Sequence, residues 1–185
     1  MNKLNIGILG FANIAKKAII PAVLQSNYFE LHGIASRNIE NKDIVENEYS
    51  CKYYSEYEAM VGDQNIDALY IPLPNSLHYK WAKKALENGK HLLVEKPIAC
   101  RHQDVITLNA IAKQNNLAIV ENFQFRKHSQ LAKIKEIISN KQLGEIRAVK
   151  SSFGFPPFPD KNNIRYSKEL GGGALLDAGA YPIKL

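Results

Sequence analysis

The chain predicts an α/β fold: a doubly wound parallel sheet with helices on both faces, followed by the start of an incomplete α+β unit. Three observations carry this. Short apolar runs alternate with segments of helical spacing up to about residue 121, the pattern of parallel strands joined by crossover helices. Two small motifs, Gly10-Phe11-Ala12-Asn13-Ile14-Ala15 and Glu95-Lys96-Pro97, each directly follow an apolar run, which puts them at the carboxyl edge of the sheet, where open α/β folds place their ligands. Beyond residue 121 the alternation ends, and the long stretch Glu145–Phe155 reads as a strand with no partner to pair with.

The elements follow in order. Leu4–Leu9 is an apolar strand ending at Gly10, and Ile14–Leu24 has helical spacing interrupted only by Pro21. Glu30–Ser36 reads as the next strand and 41–48 as a short polar helix. Ala68–Leu73 is a fully apolar strand closed by Pro72 and Pro74. His78–Glu87 is an amphipathic helix with Trp81, Ala82, Ala85 and Leu86 on its inner face, stopped by Asn88-Gly89. His91–Glu95 and Leu117–Glu121 are strands flanking a helix over Gln103–Gln114. In the second part, Leu131–Ile138 is a helix, Gly144 a turn, and Gly171-Gly172-Gly173 precedes a last apolar helical run.

With 185 residues, 45% hydrophobic and 23% charged, the composition is that of a soluble globular protein. The formal charge of +6 raises a nucleic-acid reading. Its cations are scattered over separate helices (Lys16-Lys17, Lys83-Lys84, Lys133, Lys135, Lys141) and no recognition motif accompanies them, so nucleic acid is not expected as a partner. No run approaches the roughly 20 apolar residues of a membrane span, and no signal-peptide core precedes the first strand, so a cytoplasmic location and no membrane association are expected. Cys51 and Cys100 are expected as free thiols, and no metal site is expected.

A dinucleotide fingerprint needs little bulk at a tight turn, at the closest approach to the pyrophosphate and at the helix–strand contact. Gly10, Ala12 and Ala15 stand at those places, and backbone N–H groups at the helix start then face the phosphates. At the end of the second strand, where an acid selects the ribose 2′-hydroxyl of NAD, the chain has Ser36-Arg37-Asn38. A guanidinium beside a hydroxyl suits a 2′-phosphate, which predicts NADP. Lys96, fixed between a buried strand and a proline, can hydrogen-bond a carbonyl oxygen and relay a proton as hydride reaches carbon. Asp177 and Tyr181 are four residues apart, on one helical face, and the glycine run before them admits a close backbone or ligand. Tyr181 is the candidate second proton donor.

Together these strings, with Ala35-Ser36-Arg37, Pro74-Asn75-Ser76-Leu77-His78, Val94-Glu95-Lys96-Pro97 and the run Gly171–Tyr181, resemble the glucose/fructose oxidoreductase, inositol dehydrogenase and rhizopine catabolism protein family (Gfo/Idh/MocA). Glu121-Asn122-Phe123-Gln124-Phe125, Phe153-Gly154-Phe155-Pro156-Pro157 and Asn163-Ile164-Arg165-Tyr166 are similar to its nucleotide-sugar 3-ketoreductase branch. The resemblance implies an NADP-binding Rossmann domain over 1–121 and a partial substrate and oligomerisation domain over 122–185. It further implies NADPH reduction of a keto group on a nucleotide-linked hexose, with Lys96 and Tyr181 near the reacting oxygen, Asp177 as a further catalytic residue, and a cis Lys96–Pro97 bond. Its implied cofactor contacts are Gly10, Phe11, Ala12, Asn13, Ile14, Ser36, Arg37, Pro72, Leu73, Asn75, His78, Glu95 and Lys96. Many members carry histidine where Tyr181 stands, and the second domain of relatives continues into a large antiparallel sheet. The chain stops after that domain's first strand and helix, so truncation is expected and the usual pairing sheet is largely missing, with a homo-oligomer left open. Two alternatives stay open: an aldose or trans-dihydrodiol dehydrogenase of the same family, and a non-catalytic nucleotide-binding remnant.

Overall fold

The computed structural model describes residues 3–185, which divide into two compact units, one running to Glu121 and one over Asn122–Leu185. In the first, β1 (Leu4–Leu9), β2 (Phe29–Ala35), β3 (Lys52–Tyr54), β4 (Ala68–Ile71), β5 (His91–Glu95) and β6 (Ile119–Asn122) form one sheet in the order β3-β2-β1-β4-β5-β6. The pairs β1–β2, β1–β4, β2–β3 and β4–β5 are parallel. The chain reverses its direction of travel across the sheet between β1 and β4, which opens a crevice at their carboxyl ends.

Period-two alternation builds a core on each face. Leu9, Leu69, Ile71, Leu92 and Val94 point to one side, where they meet α2 (Tyr57–Gly62), α3 (Asn75–Glu87) and α4 (His102–Gln114). Ile6, Ile8, Ile34, Ala68 and Tyr70 point to the other, packing on Ala15, Ile20 and Val23. Those three residues lie on a helix that runs from a π-helical turn, Ala15–Ile19, into α1 (Ile20–Leu24). Pro21 brings no N–H and crowds the carbonyl four residues back; the wider turn before it accommodates the ring.

The boundaries differ from the sequence reading where proline intervenes. β4 ends at Ile71 instead of Leu73, because Pro72 cannot donate to the ladder, and α3 begins at Asn75, immediately after Pro74. β3 and α2 are additions that the sequence pattern does not predict.

At the amino edge of the sheet, Asp63 gathers four hydrogen bonds. Lys52 Nζ and Tyr54 Oη donate to Oδ2 at 2.9 and 2.7 Å, and the Asn65 backbone and side-chain N–H groups donate to Oδ1 at 2.9 and 3.0 Å. These donors, Lys52 first, hold its carboxyl far below the usual carboxylate range, while burial, with help from Asp63, pushes Tyr54 up to about 12. Buried Lys90 donates to the carbonyls of Asp63 and Ile66 at 2.7 and 2.8 Å. A carboxylate with a depressed folded pKa adds stability above its unfolded pKa of about 4 and loses it as pH falls through the folded value. Asp63→Asn is therefore expected to cost about 2 kcal/mol at neutral pH. Urea unfolding at pH values stepping down from neutral checks this: the gap to the wild-type chain should narrow on the acid side, and a gap independent of pH would refute the assignment.

The second unit contains α5 (Ser129–Ser139), a 3-10 turn at Ile164–Tyr166, and a π-helical turn, Leu175–Gly179, running into α6 (Ala180–Lys184). The strand expected over Glu145–Phe155 does not form; residues 145–155 have no regular ladder, and Val149, Phe153 and Phe155 are exposed. An isolated strand has nowhere to direct its N–H and C=O groups other than solvent, so alternation alone does not make one. No described helix is long and apolar enough to cross a membrane.

Candidate cofactor site

The carboxyl edge of the sheet is built around Gly10. Its φ is +118°, and a Cβ there would stand 2.7 Å from Leu73 Cδ2 and 3.9 Å from Tyr57 Oη. Leu73, just beyond β4, and Tyr57, at the start of α2, thus border the end of β1 at the crevice. The Gly10 N–H donates to the Ala35 carbonyl at 3.1 Å, tying the turn to the end of β2. The helix then starts at Asn13, with Lys16 N–H donating to the Ala12 carbonyl at 3.1 Å. Asn13 and Ile14 are exposed, Ala12 half-buried, and Ala15 is sealed into the core. The Phe11 ring packs edge-on against Tyr49 with Lys16 over its face. Gly10→Ala is expected to destabilise the unit by about 2 kcal/mol, since it combines a left-handed backbone with a clash. Thermal unfolding reads the loss, and an unchanged midpoint would show that the turn relaxes.

At the end of β2, a depression of about 400 Å³ is lined by Ser36, Arg37, Asn38 and Tyr57. Ser36 Oγ accepts from the Asn38 N–H at 3.2 Å and from Asn41 Nδ2 at 2.8 Å, while Tyr53 Oη donates to the Ser36 carbonyl at 2.6 Å. Ser36 is thus engaged in shaping the turn. Arg37 is exposed, its guanidinium 5.8 Å from the Tyr57 ring centroid. Tyr57 therefore borders both the 2′-phosphate candidate and the glycine turn. Asn38, Tyr53 and Tyr57 are not among the residues expected from the sequence. A positive-φ glycine turn ahead of a helix start, near an exposed guanidinium and an aromatic ring, fits the pyrophosphate and phosphorylated ribose of NADP.

Three strands further along the sheet, Glu95 and Lys96 leave β5. Tyr70, fully buried, donates to Glu95 Oε1 at 2.7 Å, and burial together with that carboxylate pushes the phenol well above its ordinary pKa. Lys96 is half-buried, and the Lys96–Pro97 bond is cis. Ile98 N–H donates to Glu121 Oε1 at 3.0 Å. Pro72 and Leu73 are buried, and Asn75 opens α3. His78, expected to touch the cofactor, is fully buried instead, with Nδ1 and Nε2 each 2.7 Å from a carbonyl, of Pro97 and Leu73 respectively.

In the second unit, Asp177 accepts from Arg165 Nε at 2.9 Å. The glycine run admits backbone: Gly172 and Gly173 N–H donate to the Ser167 and Arg165 carbonyls at 2.8 and 2.9 Å, and a Cβ on Gly172 would stand 2.5 Å from the Arg165 oxygen. Tyr181 stacks on Phe153 with centroids 4.6 Å apart and also meets Phe123 and Phe125. Among the described residues no group of three His, Cys, Asp or Glu could hold a metal ion. Cys51 is a buried free thiol whose pKa burial pushes up to about 11, and Cys100 is an exposed one.

Residues 4–123 match the model of the Gfo/Idh/MocA oxidoreductase family with its NAD-binding Rossmann fold, and residues 131–185 match a Gfo/Idh/MocA C-terminal domain. The chain belongs to this family. It is 37% identical over 182 residues to a dTDP-3,4-didehydro-2,6-dideoxy-alpha-D-glucose 3-reductase of Streptomyces violaceoruber, covering 98% of this chain and 53% of the relative. A D-xylose 1-dehydrogenase (NADP(+)) of Haloferax volcanii is 34% identical, over 96% of this chain and 54% of the relative. A 3-ketoreductase of Actinomadura kijaniata, solved with NADP and TDP-benzene, superposes with a TM-score of 0.94 at 36% identity, over 99% of this chain and 56% of that one. The same ketoreductase has been solved with a tyrosine replaced by phenylalanine and with a lysine replaced by glutamate or alanine. The chain spans about half the length of the curated relatives it matches.

Proposed function

We propose that the chain carries the cofactor and proton-transfer apparatus of an NADP-dependent reductase acting on the keto group of a nucleotide-linked hexose. The observation that carries this is the exposed Arg37 beside Tyr57, adjoining the Gly10 turn, on the same sheet edge from which Lys96 emerges. The nucleotide-sugar reductases among its relatives support the substrate class, and a solved relative holding NADP supports the cofactor. A cytoplasmic location belongs to the same reading and is supported by the two unpaired thiols.

Bound there, NADPH supplies the hydride that reduces the carbonyl carbon. Arg37 holds the phosphorylated ribose and the Gly10 turn lets the backbone approach the pyrophosphate. Lys96 donates a hydrogen bond to the carbonyl oxygen, stabilises the negative charge that develops on it, and delivers the proton that completes the alcohol. Tyr181 enters the reading through the resemblance, as a second donor to that oxygen. For Asp177 the pairing with Arg165 supports orientation of this segment. Mixing the chain with NADPH and a dTDP-linked 3-keto hexose should oxidise the nicotinamide. Turnover only with NADP⁺ and a free aldose would favour the dehydrogenase alternative, and cofactor binding without either reaction would favour a non-catalytic remnant.

A further inference from the structure

His78 occupies the first turn of α3 and is fully buried. Its two ring nitrogens each stand 2.7 Å from a backbone oxygen, Nε2 from Leu73 and Nδ1 from Pro97. Those oxygens belong to the loop leaving β4 and to the loop that carries Lys96. Both loops are short of backbone donors, because Pro72, Pro74 and Pro97 have no N–H. A side chain has taken the place of the missing ladder, and it reaches both loops at once.

We propose that His78 is a positioning residue whose imidazole bridges the loop after β4 to the Lys96 loop, and so sets the nicotinamide half of the cofactor site without bearing on the 2′-phosphate half. The inference rests on the NADP reading for its second half only; the bridge itself is a property of the fold. A neutral ring donates from one nitrogen, and both contacts become hydrogen bonds when the ring is protonated. The charges facing it are the carboxylates of Glu95 at the end of β5 and Glu121 in β6; they and the two carbonyls favour the proton, and burial outweighs them and lowers the pKa. With one ring proton, one loop is held by a hydrogen bond and the other carbonyl faces a lone pair; with two, both loops are held.

The test compares the full wild-type chain with His78→Phe, which keeps a ring and loses both nitrogens, and with His78→Gln, which keeps one donor. Backbone amide exchange needs no cofactor. In His78→Phe, exchange at Ile98 and neighbouring loop amides should rise by about tenfold or more while β1 and β2 amides keep their rates, with His78→Gln between the two. Affinity for NADPH should fall by about tenfold in His78→Phe, with affinity for adenosine 2′,5′-bisphosphate, which lacks the nicotinamide half, within about twofold of wild type. If His78→Phe does not fold, the same comparisons on His78→Gln decide. Loop exchange that stays at wild-type rates, exchange that rises evenly over the whole sheet, or equal loss of both ligands would overturn the proposal. A wild-type chain that binds neither ligand would refute the NADP reading, and the exchange pattern would still decide the bridge.

Discussion

Replacing Lys96 by alanine is expected to slow keto-sugar reduction by about 10²–10⁴-fold, the usual contribution of one well-placed proton donor. NADPH affinity should change far less, because the proposed 2′-phosphate and pyrophosphate contacts are at the ends of β2 and β1, away from β5. The loss therefore belongs in kcat; a loss confined to KM would make Lys96 a binding group only. Tyr181→Phe gives the companion measurement. If both residues serve one oxygen, the double variant loses much less than the product of the single losses. Fully multiplicative losses would separate Tyr181 from the chemistry of Lys96.

Arg37→Asp should reverse the cofactor preference. A charge-assisted hydrogen bond to phosphate contributes about 1.5–3 kcal/mol, so its loss weakens NADPH by about 10–150-fold before repulsion from the new carboxylate is added. The same carboxylate offers acceptors to the 2′-hydroxyl of NADH. Since Arg37 is exposed and its ring contact with Tyr57 is a distant 5.8 Å, the fold should be untouched. Fluorescence titration with both nucleotides measures the ratio, and a variant that keeps its preference would place the 2′-phosphate elsewhere.

β1 and β4 are legible because burial on both faces leaves them apolar at nearly every position, and β5 because of its apolar centre, Leu92-Leu93-Val94. β3 and α2 escape notice for the opposite reason. Three residues of mixed character, Lys52, Tyr53 and Tyr54, become a strand only because β2 lies beside them, and a six-residue helix is too short to show a clear period. Glu145–Phe155 shows the converse error: it alternates as a strand does, yet a ladder needs a neighbour and alternation says nothing about one.

The site divides in the same way. Gly10, Arg37 and Lys96 are legible since each is the first or second residue beyond a strand, where position and chemistry coincide. Tyr57 is not, because its place beside Arg37 depends on where a helix 20 residues downstream folds back. For His78 the sequence points to the edge of the sheet and says nothing of the ring's partners. The string Pro74-Asn75-Ser76-Leu77-His78 marks a helix start, and only the folded chain reveals that both ring nitrogens are turned inward to backbone carbonyls. The Asp63 cluster lies outside any motif, since its donors come from β3, from the following turn and from the lysine before β5.

Transfer of an isotope from cofactor to sugar tests the central claim most directly. The chain is incubated with NADPH carrying deuterium at the transferable nicotinamide position and with a dTDP-linked 3-keto hexose, and the sugar is examined by NMR. The account predicts one deuterium on the former carbonyl carbon, with the adjacent oxygen protonated, and greatly reduced transfer with Lys96→Ala. Tight NADPH binding with no deuterium on the sugar would contradict it.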